Sequence, residues 1–113
     1  MDLEGDAPTT DDALRALREL LSQGADRAAL RAAAAQLGLT IPALEQRLEE
    51  AGTSFQNELR GARVREAQRL LLSTLRSTTA IAQELGFPSL QHFTVEFRKV
   101  TGEAPGSWRA RRS

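Results

Sequence analysis

Apolar residues recur every three or four positions along most of this chain, which is the spacing of a buried helix face. In the first such segment the recurring residues are Leu14, Leu17, Leu20 and Leu21. No segment alternates between apolar and polar residues over the length of a β-strand. The pattern therefore predicts an all-α fold with about seven helices.

Residue types that start and stop helices divide the first half of the chain into three helices. The predicted starts lie at residues 9–12, Asp26 and Thr40, and the predicted stops are Gly24, Gly38 and Gly52. Pro42 falls in the first turn of the third helix, where its missing N–H costs nothing. Residues 1–10 are acidic and polar, and we expect a flexible lead-in there.

The second half contains the longest helical stretch and three shorter ones. The long stretch covers residues 54–75, and its predicted buried stripe consists of Leu59, Val64, Ala67, Leu71 and Leu75. The shorter helices are predicted from Ser77 or Thr78 to Gly86, from Ser89 to about Val100, and after Pro105 through Trp108. We expect Phe97 and Trp108 to be core residues.

A similar unit occurs twice, in LGLTIPALEQRLEEAG at residues 37–52 and in LGFPSLQHFTVEFRKVTG at residues 85–102. A helix-turn-helix needs a small residue where its helices cross, a turn residue that tolerates positive φ, and a large apolar residue on the second helix. These three positions are Ala34, Gly38 and Leu44 in the first unit, and Ala82, Gly86 and Phe93 in the second. Phe93 comes one residue late, so we expect the second turn to be one residue longer. The alternative is a helical repeat used only for packing.

The repeat and the long helix together predict an organisation for reading DNA. We expect a first helix-turn-helix subdomain at residues 11–53, a linker helix at 54–75 and a second subdomain at 76–113. About 22 helical residues span about 33 Å, close to the ~34 Å between successive major grooves on one face of B-DNA. The DNA site would then consist of two unlike elements about 10 base pairs apart.

The formal net charge is zero, but the charges are unevenly distributed. Residues 1–53 contain 5 Lys and Arg against 10 Asp and Glu, while residues 54–113 contain 10 against 5. A polyanion would therefore be bound mainly by the second half. The alternative is that the basic residues only form solvated helix faces.

Several classes of function lack the residues that they require. The chain has no cysteine and a single histidine, His92, which excludes cysteine zinc sites, cysteine nucleophiles and His-Glu-x-x-His metal sites. It has no glycine-rich phosphate loop, so we expect neither an enzyme nor a cofactor. No apolar run approaches the ~20 residues of a membrane span, and MDLEGDAPTT does not resemble a signal peptide. The absence of cysteine fits the cytoplasm.

The most specific segment is IAQELGFPSLQHFTVEFRKVTGEAPGSWR, which resembles the signature of AraC/XylS-type transcription regulators. The matching residues are Ile81, Ala82, Gly86, Phe87, Phe93, Phe97, Arg98, Gly102, Pro105, Trp108 and Arg109. In RVREAQRLLL, Arg63, Ala67, Leu70 and Leu71 fit the linker-helix pattern of that family. The resemblance covers residues 11–112, and it implies a homeodomain-like DNA-binding domain with two helix-turn-helix subdomains.

The resemblance implies roles for residues on both recognition helices. Base contacts are implied for Pro42, Glu45, Gln46, Leu90, Gln91, Thr94 and Val95, and phosphate contacts for Thr40, Arg47, Ser89, Arg98 and Lys99. A glutamine can bind adenine bidentately, a glutamate can accept from a cytosine amine, and an apolar side chain can meet a thymine methyl. His92 stands where the family often has an aromatic residue, and we expect semi-buried packing there.

The resemblance also implies double-stranded DNA as the partner, with RNA polymerase and a separate sensor domain as further partners and with activation as the common mode of control. We expect either an isolated C-terminal domain or a naturally short regulator. The family usually has an arginine at the positions of Gln46 and Val95 and lysines near Glu49 and Glu50. Because the first recognition helix is acidic here, the alternative is a helical protein-interaction module with weak or lost DNA binding.

Overall fold

The computed structural model describes residues 7–112, and within that range every regular element is an α-helix. The helices are α1 (Thr10–Gln23), α2 (Ala28–Leu37), α3 (Ile41–Glu50), α4 (Phe55–Ser73), α5 (Thr78–Glu84), α6 (Leu90–Thr101) and α7 (Pro105–Arg112). The all-α prediction is confirmed. Most of the expected flexible lead-in, residues 1–6, lies outside the described residues.

The chain divides into two compact units, unit 1 (Met1–Leu59) and unit 2 (Arg60–Ser113). The division falls within α4, so this helix contributes its first turn to unit 1 and the rest to unit 2. Each unit therefore contains one of the two predicted helix-turn-helix motifs.

Unit 1 is built from α1, α2 and α3, which pack against one another. Its buried apolar residues are Ala13, Ala16, Leu17, Leu21, Ala29, Ala33, Ala34, Leu44, Leu48, Phe55 and Leu59. Leu14 and Leu20 were expected on the buried face of α1, but they are only half-buried. Alanines take the fully buried positions beside Leu17, because small side chains allow helices to approach closely.

Unit 2 encloses the second core. Its buried residues are Val64, Ala67, Leu70, Leu71, Ile81, Ala82, Phe87, Phe93, Phe97 and Trp108. Four aromatic rings follow one another through this core, with centroid separations of 5.0 Å for Phe87–Phe93, 5.6 Å for Phe93–Phe97 and 5.7 Å for Phe97–Trp108. The prediction that Phe97 and Trp108 are core residues is confirmed.

Most of the predicted helix starts are confirmed by hydrogen bonds. The hydroxyls of Thr9, Thr40, Ser77 and Ser89 each accept from a backbone N–H three residues later. Asp26 is different, because α2 begins at Ala28 and its N-cap residue is Arg27. The Asp26 carboxylate accepts from the Ala28 N–H at 2.8 Å, so it acts one position before the cap.

The linker helix is shorter than predicted. It ends at Ser73, and Leu75, which was expected in its buried stripe, is 101% exposed. The Arg109 guanidinium of α7 donates to the carbonyls of Leu71 and Thr74, at 3.0 and 3.2 Å, and so binds the free acceptors of the last turn. The observed 19 residues correspond to a helix of about 28 Å.

Candidate DNA-binding surfaces

The first helix-turn-helix consists of α2 and α3, and its turn has the predicted geometry. Gly38 has a φ of 70°, in the left-handed region that favours glycine. The Leu39 N–H donates to the Ala34 carbonyl at 2.9 Å, which closes the end of α2. Ala34 and Leu44 are both buried, so the three predicted roles are confirmed.

The second helix-turn-helix, α5 and α6, repeats this geometry. Gly86 has a φ of 83°, the Phe87 N–H donates to the Ala82 carbonyl at 3.0 Å, and Phe93 is fully buried. One residue lies between Gly38 and its helix cap Thr40, whereas two lie between Gly86 and Ser89. The prediction that the second turn is longer by one residue is confirmed.

One stripe of α6 faces outward, and we call it the α6 stripe. It consists of Gln91, Thr94, Val95 and Arg98, which share a face because they lie at positions i, i+3, i+4 and i+7. Gln91, Val95 and Arg98 are exposed and Thr94 is half-buried. The Thr94 hydroxyl donates to the Leu90 carbonyl at 2.9 Å, so its oxygen can still accept a hydrogen bond.

The residues that flank the α6 stripe are a cap, an apolar side chain and a lysine. Ser89 uses its hydroxyl to cap α6, accepting from the His92 N–H at 3.0 Å. Leu90 follows this cap and is 40% exposed. Lys99 is exposed, with its Nζ 3.7 Å from Glu96 Oε2.

The corresponding stripe of α3 lines a groove, which we call the α3 groove. Pro42, Glu45, Gln46 and Glu49 form one wall, and the rest of the lining comes from the start of α2, the α3–α4 connection and the start of α4. The groove has a volume of about 640 Å³. The structure thus brings three predicted base-contacting residues together with Glu49, which gives the wall two carboxylates one helical turn apart.

The two predicted phosphate ligands of unit 1 already make internal contacts. The Thr40 hydroxyl accepts from the Ala43 N–H at 3.1 Å and so caps α3. The Arg47 Nε donates to the Pro8 carbonyl at 3.0 Å, and Arg47 is half-buried. Arg47 therefore helps to fasten α3 to the segment that precedes α1.

Sequence reasoning missed two buried glutamates that pair with arginines. In unit 1 Arg18 donates to Glu58 at 2.7 and 3.2 Å, and the Thr53 hydroxyl donates to the same carboxylate at 2.8 Å. The hydrogen bond with Glu58 raises the pKa of the Arg18 guanidinium. In unit 2 Glu96 is buried and forms an ion pair with Arg60. No sequence signal marks these pairs, because their members are about 40 residues apart.

Arg63 of α4 was assigned to the linker pattern only, yet it lies against the second helix-turn-helix. Its Cζ is 5.9 Å from the centroid of the Phe87 ring. Its Nη2 is 3.9 Å from the point where a Cβ on Gly86 would lie. Its Nε is buried and has no hydrogen-bond partner among the described residues.

His92 is more exposed than predicted. It lies on the solvent side of α6, next to the buried Phe93, and its ring centroid is 6.0 Å from that of Phe87. The prediction that His92 is semi-buried is therefore wrong, although its ring does contact that of Phe87. Within residues 7–112, no helix combines the length and apolar character needed to cross a membrane.

Two helix-turn-helix motifs, each with an exposed stripe on its second helix, define a class of DNA-binding domains. A family model described as a helix-turn-helix domain matches residues 33–111. The chain belongs to the AraC/XylS family of transcription regulators.

Known relatives and solved structures agree with this assignment. The HTH-type transcriptional regulator GlxA of Rhizobium meliloti (strain 1021) is 36% identical over 105 residues, covering 91% of this chain and 32% of that protein. The chain thus spans about a third of the length of this relative. A DNA-binding transcriptional dual regulator from Escherichia coli K-12 has the same fold, with a TM-score of 0.75 at 23% identity and coverage of 92% and 98%.

One solved structure similar to this chain contains DNA. It is the DNA-binding domain of the global transcriptional factor AdpA in complex with a target DNA. The TM-score is 0.63 at 25% identity, and the match covers 94% of this chain and 93% of that one.

Proposed function

We propose that this chain binds double-stranded DNA in a sequence-specific way as part of a transcription regulator, and that α6 is its main reading helix. The α6 stripe is the observation that carries this proposal. It presents an amide, a hydroxyl, an apolar side chain and a guanidinium on one face, while Phe93 and Phe97 anchor the opposite face in the core. Relatives named as transcriptional regulators and a DNA-bound structural neighbour support it.

The residues of the α6 stripe and those that flank it suit different features of the duplex. The Gln91 amide can bind adenine N6 and N7, and the Thr94 oxygen can contact a base or a phosphate. Leu90 and Val95, which are 40% and 46% exposed, suit the C5-methyl groups of thymines. Arg98 and Lys99, in the last turns of α6, suit phosphates on either side of the groove, and Ser89 presents the helix start to another.

We propose a smaller part in DNA binding for α3. On this proposal Pro42, Glu45 and Gln46 contact bases in a second element of the DNA site, and Thr40 and Arg47 lie near phosphates. The operator would then contain two unlike elements about 10 base pairs apart. Inserting about five base pairs between them would turn one element to the far side of the duplex and lower the affinity to that of α6 alone. Unchanged affinity would show that α3 does not read DNA.

The α3 groove favours a second candidate function for unit 1, which is contact with another protein. Two carboxylates on its wall disfavour a position beside DNA phosphates and suit a basic segment instead. Replacing both with glutamine, as Glu45→Gln and Glu49→Gln together, distinguishes the two functions. Contact with protein predicts unchanged or tighter DNA binding, whereas base reading predicts a flattened preference at one base pair.

The remaining parts of the proposal follow from the family. We propose that the regulator activates transcription through contact with RNA polymerase, that a sensor domain is a further partner, and that it works in the cytoplasm, where bacterial DNA is. The family consists of DNA-binding regulators, and we propose no catalytic activity and no cofactor for this domain.

The proposal is tested by selecting duplexes from a random pool on the purified domain and then comparing two glutamine variants. Gln91→Ala should cost about 1–3 kcal/mol at one base pair and flatten the preference there, with little change in salt dependence. Gln23→Ala, an exposed glutamine at the end of α1, is the matched control. A selected motif that is the same for both variants would remove Gln91 from the reading surface, and no enriched motif at all would contradict sequence-specific binding.

A further inference from the structure

Arg63 differs from four other arginines of unit 2 in the partners that it has. Arg60, Arg69, Arg76 and Arg111 each form an ion pair with a carboxylate, namely Glu96, Glu66, Glu84 and Glu103. Arg63 forms no such pair within residues 7–112, although it is half-buried and its Nε is enclosed without a hydrogen bond. A partly desolvated charge without an anion is costly, and most such charges in proteins are paired.

The guanidinium of Arg63 is nevertheless held at a defined place. The ring of Phe87 lies under it at 5.9 Å, which is within the range of a cation–π contact. Its Nη2 lies beside Gly86, in the turn that leads into α6. Phe87 is itself packed against Phe93, a fully buried residue of α6. The cation is therefore fixed at the turn of the reading motif before any ligand arrives.

We propose that Arg63 binds a backbone phosphate of the DNA duplex at the α5–α6 turn. This proposal rests on the proposed function, since it places a further phosphate ligand beside the helix that reads the bases. The phosphate supplies the anion that Arg60, Arg69, Arg76 and Arg111 find within the protein. A fixed guanidinium loses little conformational entropy on binding and can donate two parallel hydrogen bonds to a phosphate.

The simpler explanation is that Arg63 only covers Phe87 and stabilises the turn. The two explanations differ in what they predict for salt dependence. Each phosphate contact contributes roughly 0.9 to the slope of log affinity against log salt concentration. A residue that acts only on the packing of Phe87 changes the stability of unit 2 but leaves the number of neutralised phosphates unaltered.

The experiment compares Arg63→Met, Arg63→Lys and Arg65→Met by fluorescence anisotropy on a generic labelled duplex over a range of salt concentrations. Methionine keeps an apolar stem over Phe87 and removes the charge, while lysine keeps the charge. Arg65 is exposed on the same helix two residues away, so its variant removes the same charge elsewhere. We expect the slope to fall by roughly 0.9 in Arg63→Met and to be retained in Arg63→Lys and Arg65→Met.

Urea unfolding of the three variants, followed by circular dichroism, completes the test. The proposal is overturned if Arg63→Met binds with the wild-type slope, whether or not its stability falls, or if Arg65→Met lowers the slope equally. If Arg63→Met does not fold, Arg63→Gln, which also removes the charge, is measured in its place, and a wild-type slope in that variant overturns the proposal. Failure of the wild-type domain to bind any duplex would instead contradict the proposed function itself.

Discussion

The two recognition helices of this protein have the same inner side and opposite outer sides. When both are counted from their caps, Thr40 and Ser89, the buried residues Leu44 and Leu48 of α3 correspond to Phe93 and Phe97 of α6. On the outer side the corresponding pairs are Glu45 and Thr94, Gln46 and Val95, Glu49 and Arg98, and Glu50 and Lys99. The inner positions are apolar in both helices, whereas two of the four outer pairs, Glu49 with Arg98 and Glu50 with Lys99, carry opposite charges.

In both units α4 forms an ion pair that includes a buried glutamate, but α4 supplies the acidic residue in unit 1 and the basic residue in unit 2. In unit 1, α4 supplies the carboxylate, Glu58, and α1 supplies Arg18. In unit 2, α4 supplies Arg60 and α6 supplies the carboxylate, Glu96. In both units α4 is thus held by an ion pair to a buried glutamate, and in unit 2 the pair joins α4 to α6.

The largest expected difference between the units follows from their core residues. Phe93→Ala should destabilise unit 2 by about 3–5 kcal/mol, because it leaves a cavity behind α6. Leu44→Ala should cost unit 1 about 2–5 kcal/mol. Urea unfolding measures both, and DNA binding should be lost in Phe93→Ala but largely kept in Leu44→Ala. Leu72→Ala, on the exposed side of α4 in unit 2, is the control, and equal loss of DNA binding in all three would argue against a special role for α6.

The next effect concerns the opposite charges of the outer sides. Reversing Arg98 and Lys99 to glutamate should weaken binding to every duplex. Because it removes two phosphate contacts, it should lower the slope of log affinity against log salt concentration by about 1.8. Giving α3 the charges of α6, as Glu49→Arg with Glu50→Lys, should strengthen generic binding. If the reversal in α6 leaves generic binding intact, the phosphate contacts lie elsewhere in unit 2.

A smaller effect is expected from the ion pairs. Arg60→Met removes one ion-pair partner of the buried Glu96, which keeps the Lys99 Nζ at 3.7 Å, and Arg18→Met removes one partner of Glu58, which keeps the Thr53 hydroxyl at 2.8 Å. Both arginines are more than a third exposed, so we expect losses of about 1–2 kcal/mol rather than the larger cost of a fully buried pair. Only Arg60→Met should also reduce the preference for the selected DNA sequence. Equal effects of both variants on that preference would mean that the pairs serve stability alone.

The smallest predicted effect depends on pH. In the capping box of α1, the Thr9 N–H donates to Asp12 Oδ2 at 3.0 Å, and this bond together with that of the Thr9 hydroxyl lowers the pKa of Asp12 below 3.8. A lowered folded-state pKa means that the contribution is present above about pH 3.8 and is lost as the pH falls through the folded-state value. Asp12→Asn should therefore flatten the acid dependence of unfolding. If the unfolding free energy of Asp12→Asn depends on acid pH as that of the wild type does, other carboxylates are responsible for that dependence.

Much of the fold could be predicted, because local patterns determine it. The caps Thr40 and Ser89 and the turn glycines Gly38 and Gly86 act through neighbouring residues, and the apolar periodicity marks one face of each helix. Leu75 shows where this reasoning fails. The carbonyls of Leu71 and Thr74 at the end of α4 accept from Arg109, which comes from α7 and is distant in sequence, and the apolar pattern around Leu75 carries no sign of this contact.

The candidate sites were predicted less completely. The exposed stripes of α3 and α6 follow from helical spacing once the caps are known. The roles of Arg18, Arg60 and Arg63 depend on which residues face them across the fold, and helical spacing does not determine this.

The aromatic series of unit 2 has a practical consequence for spectroscopy. Trp108 is the single tryptophan of the chain, and there is no tyrosine. Its ring packs edge to face against Phe97 and is covered by the Arg112 guanidinium at 4.2 Å. Intrinsic emission therefore reports on unit 2 and is silent about unit 1. A melt followed at once by tryptophan emission and by far-ultraviolet ellipticity would show from one sample whether unit 2 unfolds together with unit 1.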